Sequence, residues 1–377
     1  MQSGFQWDES YSNPLGDFMT ALYLNGTKDI VTASLSVPME LAPGKKFNYS
    51  GGNANIIQGI ISMLGQENLG SSDPNVVAHK LVFSRLGITE AFFEKDQKGS
   101  AIGSTYLHLK PRGMALLGHL YLQNGFWKDE NGQMKQVLTK EFVNNIKTVN
   151  TAVDHAAIDE KYLEYIKEEG VPSNGITWLN KDVIDDKNEL RYAHELPSSP
   201  SDLFFLAGHN GQMILVLPSQ QKVIAITGSN RSYWDKVDKI TYAATTCFSK
   251  LALAPDIVPN LLAPPAKAPE KSPIKKAKDS VLEISKNIPP ALQLLISPIA
   301  AGAAAKELCS CMTVDISTTD LKKAIEYCPG DLPKSIQKMY SIKADFQKKQ
   351  IKVKSITHFF QREAKMTDFG CVLEPEE

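Results

Sequence analysis

Strong charge of either sign is missing from this chain. Lysine and arginine number 41 and aspartate and glutamate 42 across 377 residues, a net charge of −1. That balance, with no basic stripe interleaved with aromatics, gives no reason to expect nucleic acid as a partner. A locally basic run, Lys267 to Lys278, stands apart. An export signal is missing too: MQSGFQWDES opens with polar and aromatic residues, without a basic start and an apolar run. Cysteine is scarce, at five residues, and no two are spaced as the Cys-x-x-Cys knuckle of a structural zinc site. Charge is absent from Asn287 to Ala305 (NIPPALQLLISPIAAGAAA), a stretch about as long as a membrane span. Pro289, Pro290, Gln293, Ser297 and Pro298 weaken that reading. A docked or surface helix is preferred, with membrane association as the alternative.

The length is enough for one large or two ordinary domains with a real core. Helices are expected at Asp17–Asn25, at Asn75–Arg85 (ending on Gly87), at Lys110–Asn124 (ending on Gly125), at Val137–Thr148 and at Asp159–Glu169. In Ala54–Leu64, residues Ile56, Ile57, Ile60, Ile61 and Leu64 share one helical face, which predicts a buried helix. Asn174–Asn180 reads as a strand and Ser232–Leu253 as a long helix. Helices dominate before Asn174 and strands follow, so the fold class is α/β with a helical insertion. Residues 254–286 are rich in Pro, Ala and Lys and read as a linker. Residues 287–305 form the apolar helix and 306–377 a small Cys-containing α+β module. Within that module Ser310–Ile316 is expected to be a strand and Asp320–Cys328 a helix. Gln350–Lys354 is expected in a sheet.

Cys247 stands alone in TYAATTCFSK, while Cys309, Cys311, Cys328 and Cys371 cluster in the last third. Four clustered cysteines suggest disulfides and an oxidising compartment. Cys309 and Cys311 are too close to pair comfortably, so each is expected to reach Cys328 or Cys371. A zinc site and free thiols are the alternatives. A secreted-looking module without an export signal implies a natural N-terminus upstream of Met1.

The best-defined pattern is Phe204–Gly228. Gln212–Leu217 and Lys222–Thr227 are apolar, β-branched runs, and Pro218-Ser-Gln-Gln221 joins them as a hairpin loop. Gly208-His209-Asn210-Gly211 precedes the first run. Two glycines around a histidine let the backbone approach a bound molecule; the alternative is that they only turn the chain into a strand. Upstream, Tyr49-Ser50-Gly51-Gly52-Asn53 leads into the Ala54–Leu64 helix and holds a tyrosine hydroxyl at a fixed point.

Taken together, these motifs resemble serine hydrolases of the β-lactamase and penicillin-binding-protein superfamily, whose sites follow one another as Ser-x-x-Lys, a Tyr- or Ser-based loop, and Lys-Thr-Gly or a variant. The branch resembled uses Tyr-x-Asn and His-x-Gly and includes class C β-lactamases, family esterases and 6-aminohexanoate-dimer hydrolases. The segments that carry the resemblance are LAPGKKFNYSGGNANIIQGII, GSTYLHLKPRGMALLGHLYLQNGFW and LPSSPSDLFFLAGHNGQMILVLPSQQKVIAITG, within residues 1–253.

The resemblance implies a DD-peptidase-like domain with an antiparallel sheet and a helical subdomain. It implies Tyr49 as the proton-transfer group and His209 as the residue that positions substrate or tunes Tyr49. Gly211 would keep the strand open, the Gln212 N–H would be one oxyanion donor, and Asn53 would stand near the family's substrate-contacting Asn, whose own place is Gly51. No metal or cofactor is implied. The implied substrates are small amides or esters, β-lactams or peptidoglycan-like molecules, and the implied setting of the parent family is periplasmic or cell-envelope.

One family motif departs. No Ser-x-x-Lys precedes Tyr49; the three literal matches, Ser219–Lys222, Ser272–Lys275 and Ser335–Lys338, all follow the third motif. The chain therefore reads as a domain lacking its N-terminal strands and nucleophile helix. AAAKELCSC and FGCVLE are similar to a segment ahead of the hydrolase domain in related proteins, which implies a rearranged or fused gene. Three expectations follow: an inactive hydrolase-family chain, a non-catalytic cell-envelope binding protein, or a truncated fragment without function.

Overall fold

The computed structural model describes residues 1–10, 13, 15–24, 28–45, 47–148, 176–184, 190–192, 200–227, 290–310, 312, 340–355, 361–367 and 370–374. The helices expected at 159–169, 232–253 and 320–328, the linker at 254–286, and Cys247, Cys311 and Cys328 lie outside those residues.

The first helices are α1 (Asp17–Tyr23), α2 (Ile30–Leu35) and α3 (Gly51–Leu69). Asp29 starts α2 by accepting the Thr32 N–H, and Ser50 starts α3 by accepting the Asn53 N–H. Glu9 adds a second anchor at α3: its carboxylate accepts the Gly51 N–H at 2.7 Å and the Trp7 indole N–H. A carboxylate there also meets the positive end of the helix.

The apolar face expected to bury α3 points outward. Ile57, Ile60, Ile61 and Leu64 are exposed, and the buried positions are Gly51, Gly52, Asn55, Gln58 and Gly65. The reason is close approach. A Cβ on Gly52 would lie 2.5 Å from two Trp7 ring carbons, and one on Gly59 or Gly65 would meet Val31 or Val77. The helix packs through its small residues, and the isoleucine stripe is left on the other side.

Asp73 caps α4 (Pro74–Ala78), which loosens into a π turn (His79–Phe83) and a 3₁₀ turn (Ser84–Leu86) and stops at left-handed Gly87. Strands β1 (Ala91–Phe93) and β2 (Leu107–Leu109) pair, and α5 (Pro111–Leu122) follows. Strands β3 (Phe126–Lys128) and β4 (Met134–Gln136) form a small hairpin. The helix expected from Val137 begins only at Lys140 as α6 (Lys140–Asn145), because Thr139 accepts the Phe142 N–H and sets the start there. Of the strand expected at 174–180, β5 covers Trp178–Leu179; β6 (Val183–Ile184) and β7 (Leu190–Tyr192) pair separately.

The central sheet is antiparallel in the order β10-β9-β8-β5, with β8 at Phe204–Gly208, β9 at Gln212–Leu217 and β10 at Lys222–Ile226. Residue alternation divides β9 between two cores. Met213, Leu215 and Leu217 join Trp178, Leu203 and Phe205 on one face. Ile214 and Val216 face α5 with Met114, Leu122, Leu179 and Phe204.

The C-terminal part is one helix on a meander. Helix α7 (Pro290–Ser310) lies against strands β11 (Tyr340–Asp345), β12 (Gln350–Ser355), β13 (Gln361–Thr367) and β14 (Gly370–Leu373), paired in that order. Ser310, expected to open the strand Ser310–Ile316, instead ends α7, whose small-residue run Ala301–Ala305 continues the buried helix; 311 and 313–316 of that expected strand lie outside the described residues. Ile299, Leu308 and Cys309 of α7 pack with Ile351, Val353, Ala364 and Leu373, and the same cluster takes in Leu22 and Tyr23 of α1 and Ile30 of α2. No described helix is long and apolar enough to cross a membrane. The overall content is mixed helix and antiparallel sheet.

Replacing Gly52 by alanine forces Trp7 to move and is expected to lower stability by about 1–3 kcal/mol. Ile57→Ala, on the outward face, is expected to stay within about 0.5 kcal/mol. Urea unfolding of the two variants checks which face of α3 is inside.

Candidate functional site

The hairpin and the Tyr49 loop meet at the central sheet. Tyr49 is half-buried, packs against the Trp178–Met213 face, and stacks on Trp178 with ring centroids 5.9 Å apart and planes 24° from parallel. Met213, on the Tyr49 face, directly follows Gln212, so Tyr49 packs one residue along β9 from the Gly208–Gln212 turn, and strand alternation turns the Gln212 side chain to the opposite face. Trp178 was not singled out from the sequence. Its only signal was its place in a short apolar run, Ile176-Thr-Trp-Leu179.

Gly208 ends β8, and His209–Gly211 form a 3₁₀ turn before β9. His209 is exposed at this turn. Gly211 has φ +83°, a left-handed conformation that a side chain would strain. The Gln212 N–H closes the turn onto the His209 carbonyl. It would have to leave that bond to serve an oxyanion, a geometry that the spacing of residues could not reveal. Asn53 sits in the first turn of α3, its N–H on the Ser50 hydroxyl at 3.2 Å. Ser50 itself is buried as that cap.

Of the three Ser-x-x-Lys matches, Ser219 is described. It lies on the exposed loop between β9 and β10, where Asp202 accepts both its N–H (2.7 Å) and its hydroxyl (2.9 Å). That is a turn clasp. Ser272 and Ser335 lie outside the described residues. Among the described residues no group of histidine, cysteine, aspartate and glutamate could hold a metal ion.

A second polar cluster was not anticipated. Glu94, fully buried, accepts from Lys306 and from the Ser310 hydroxyl (3.0 Å) on one oxygen and bonds His108 Nε2 (2.8 Å) on the other. Burial pushes the Glu94 carboxyl up, but Lys306 and His108 more than offset this and hold it below the ordinary carboxylate range. Lys306 also bonds the Cys371 carbonyl and stands over the Tyr106 ring, 4.8 Å from its centroid. Cys371 is disulfide-bonded to Cys309, one of the pairings expected from the spacing. The signal in the sequence was slight: Lys306 is the first charge after nineteen uncharged residues.

No family model matches this chain, and no curated protein matches it significantly. Solved structures offer distant likenesses. A Bacillus anthracis protein named as a 6-aminohexanoate-dimer hydrolase is 18% identical, with 67% of this chain and 58% of that one covered at a TM-score of 0.43. A Bacteroides dorei DSM 17855 protein named as a beta-lactamase is 16% identical, with 67% and 69% covered at the same TM-score. This chain thus spans little more than half of the first. At that overlap neither likeness bears on chemistry or substrate.

Tyr49→Ala removes the stack on Trp178 and is expected to lower stability by about 1–3 kcal/mol, while Tyr49→Phe keeps the ring and loses less. Unfolding followed by tryptophan fluorescence checks this. The lowered Glu94 pKa gives a signed pH dependence. Its contribution is complete above the ordinary carboxylate value, near pH 4.3, and is lost as pH falls through the lower folded value. The difference in Tm between the wild type and Glu94→Gln should therefore shrink on acidification below about pH 4, as scanning calorimetry would record.

Proposed function

We propose that this chain carries the cleft wall of a β-lactamase-like serine hydrolase and that, by itself, it does not turn over substrate. The observation that carries the reading is the packing of Tyr49 on Trp178 and Met213, one residue along β9 from the end of the His209-Asn210-Gly211 turn. Acyl transfer needs an activated nucleophile, a proton shuttle and donors for the developing oxyanion. Tyr49 is the candidate shuttle, with His209 at the mouth to position substrate or tune the tyrosine. Gly211 holds the turn that brings the backbone to the mouth, and the Gln212 N–H becomes a donor once released from the His209 carbonyl. Asn53 is the candidate polar contact on the opposite wall. The parent chemistry is hydrolysis of an amide or ester, β-lactams and peptidoglycan-like peptides included, in a periplasmic or cell-envelope setting.

The missing part is the nucleophile. No Ser-x-x-Lys lies ahead of Tyr49, and Ser219 is held by Asp202 in a surface turn. In a comparable triad system, loss of the nucleophilic serine lowers kcat on the order of a million-fold. A nitrophenyl acyl ester assay on the purified chain should give no hydrolysis above background. Turnover abolished by a serine-directed inhibitor would sink the reading.

The absent nucleophile favours a second reading, in which the cleft serves as a recognition surface. Saturable binding of a β-lactam or peptidoglycan stem peptide without turnover, weakened at least fivefold by His209→Ala in calorimetric titration, would support it. Equal affinity of wild type and variant would not.

A further inference from the structure

We infer that the Cys309–Cys371 disulfide is a redox latch that governs how firmly the C-terminal unit, α7 with β11–β14, stays docked on the body around α1, β1 and β2. The inference rests on the docking geometry and is independent of the hydrolase reading.

The two half-cystines join α7 to β14, and both are fully buried. Strand β14 is the last of its meander and pairs on one side only, through four residues, with β13. Other ties of β14 run to α7, through Lys306, and across to the body, through Glu94 and Gln97. The Cys371 N–H reaches Glu94 Oε2 at 3.4 Å, the Cys371 carbonyl accepts from Lys306, and Gln97 Nε2 donates to the Leu373 carbonyl at 2.6 Å. Lys306, Cys309 and Ser310 occupy one turn of α7, and Lys306 and Ser310 both bond Glu94. The disulfide therefore holds Cys371 where its main chain completes the surroundings of the buried Glu94–Lys306 pair. A buried ion pair is costly unless its remaining donors and acceptors are satisfied. Releasing β14 removes one acceptor from Lys306 and one donor from Glu94 together. Arg362 of β13, which donates to the Tyr23 carbonyl at 3.3 Å, belongs to the same interface.

The chemical step is thiol–disulfide exchange with a dithiol reductant. Its thiolate attacks one cystine sulfur and forms a mixed disulfide, and the other cysteine leaves as a thiolate. The second reductant thiol then displaces the first cysteine and closes the reductant's own disulfide. Two electrons and two protons pass to Cys309 and Cys371. Because both sulfurs are buried, attack waits for the unit to open, and the rate of reduction reads the opening equilibrium. Linkage works in both directions: the Glu94 contacts slow reduction, and reduction loosens the Glu94 contacts.

The test uses the full chain in native buffer with dithiothreitol. Alkylation and peptide mass follow the reduction of Cys309–Cys371, and hydrogen exchange is read at 17–24, 204–226 and 340–355. Gln97→Ala, which removes one tie to β14, should speed reduction at least threefold, and Glu94→Gln at least tenfold. Asp202→Asn, which acts at the hairpin turn and on Lys147, away from the C-terminal unit, should stay within twofold. In the Cys309→Ser/Cys371→Ser chain, exchange at 17–24 and 340–355 should rise at least tenfold while 204–226 is unchanged. Reduction rates that ignore both Gln97→Ala and Glu94→Gln would overturn the latch. So would a double-serine chain whose exchange at 17–24 and 340–355 matches the wild type, since the bond would then be only a staple. If Glu94→Gln does not fold, Gln97→Ala and the double-serine chain decide the matter.

Discussion

The site depends on β9 being buried on both faces. Its odd-numbered residues from Met213 pack toward Trp178 and Tyr49, and Ile214 and Val216 pack toward α5. A one-residue slip would exchange the two sets and turn the Gln212 side chain to the other face. The pairings of β9 with β8 and β10 run without a break, those with β8 up to Gly208 and Gln212, so the ladder and the Gln212 N–H bond to the His209 carbonyl together set the position of His209.

The second organising feature is charge removed from water. Glu94 and Lys306 lie 212 residues apart and are both almost wholly buried, and they meet where the C-terminal sheet joins the first helices. Apolar contacts around Leu22, Tyr23, Ile299 and Leu308 supply the area of that junction. The ion pair, with His108, Ser310 and the Cys371 main chain, supplies its register, because a buried charge tolerates little displacement from its partners.

Where local pattern and packing disagreed, the small residues decided. The isoleucines of α3 share a face, and periodicity alone places that face inside. Gly52, Gly59 and Gly65 lie on the opposite side, and there Trp7, Val31 and Val77 come closer than any side chain would permit. Contact distance outweighed hydropathy. Similarly, Ser310 extended a helix because the alanines before it were already buried against a sheet. The Gln212 N–H, free in the expected chemistry, is held by a 3₁₀ turn that depends on the φ of Gly211.

The sequence by itself determined the hairpin, its loop, the glycine stops after the helical stretches at Gly87 and Gly125, and the possibility of a Cys309–Cys371 bond. These depend on neighbours within a few residues or on the chemistry of one residue type. Tertiary structure decided the stack of Tyr49 on Trp178, the outward face of α3, the engagement of Ser219 by Asp202, and the meeting of Glu94 with Lys306. Each of these requires partners distant in the chain to arrive at the same place, and nothing in local periodicity or propensity specifies that arrival.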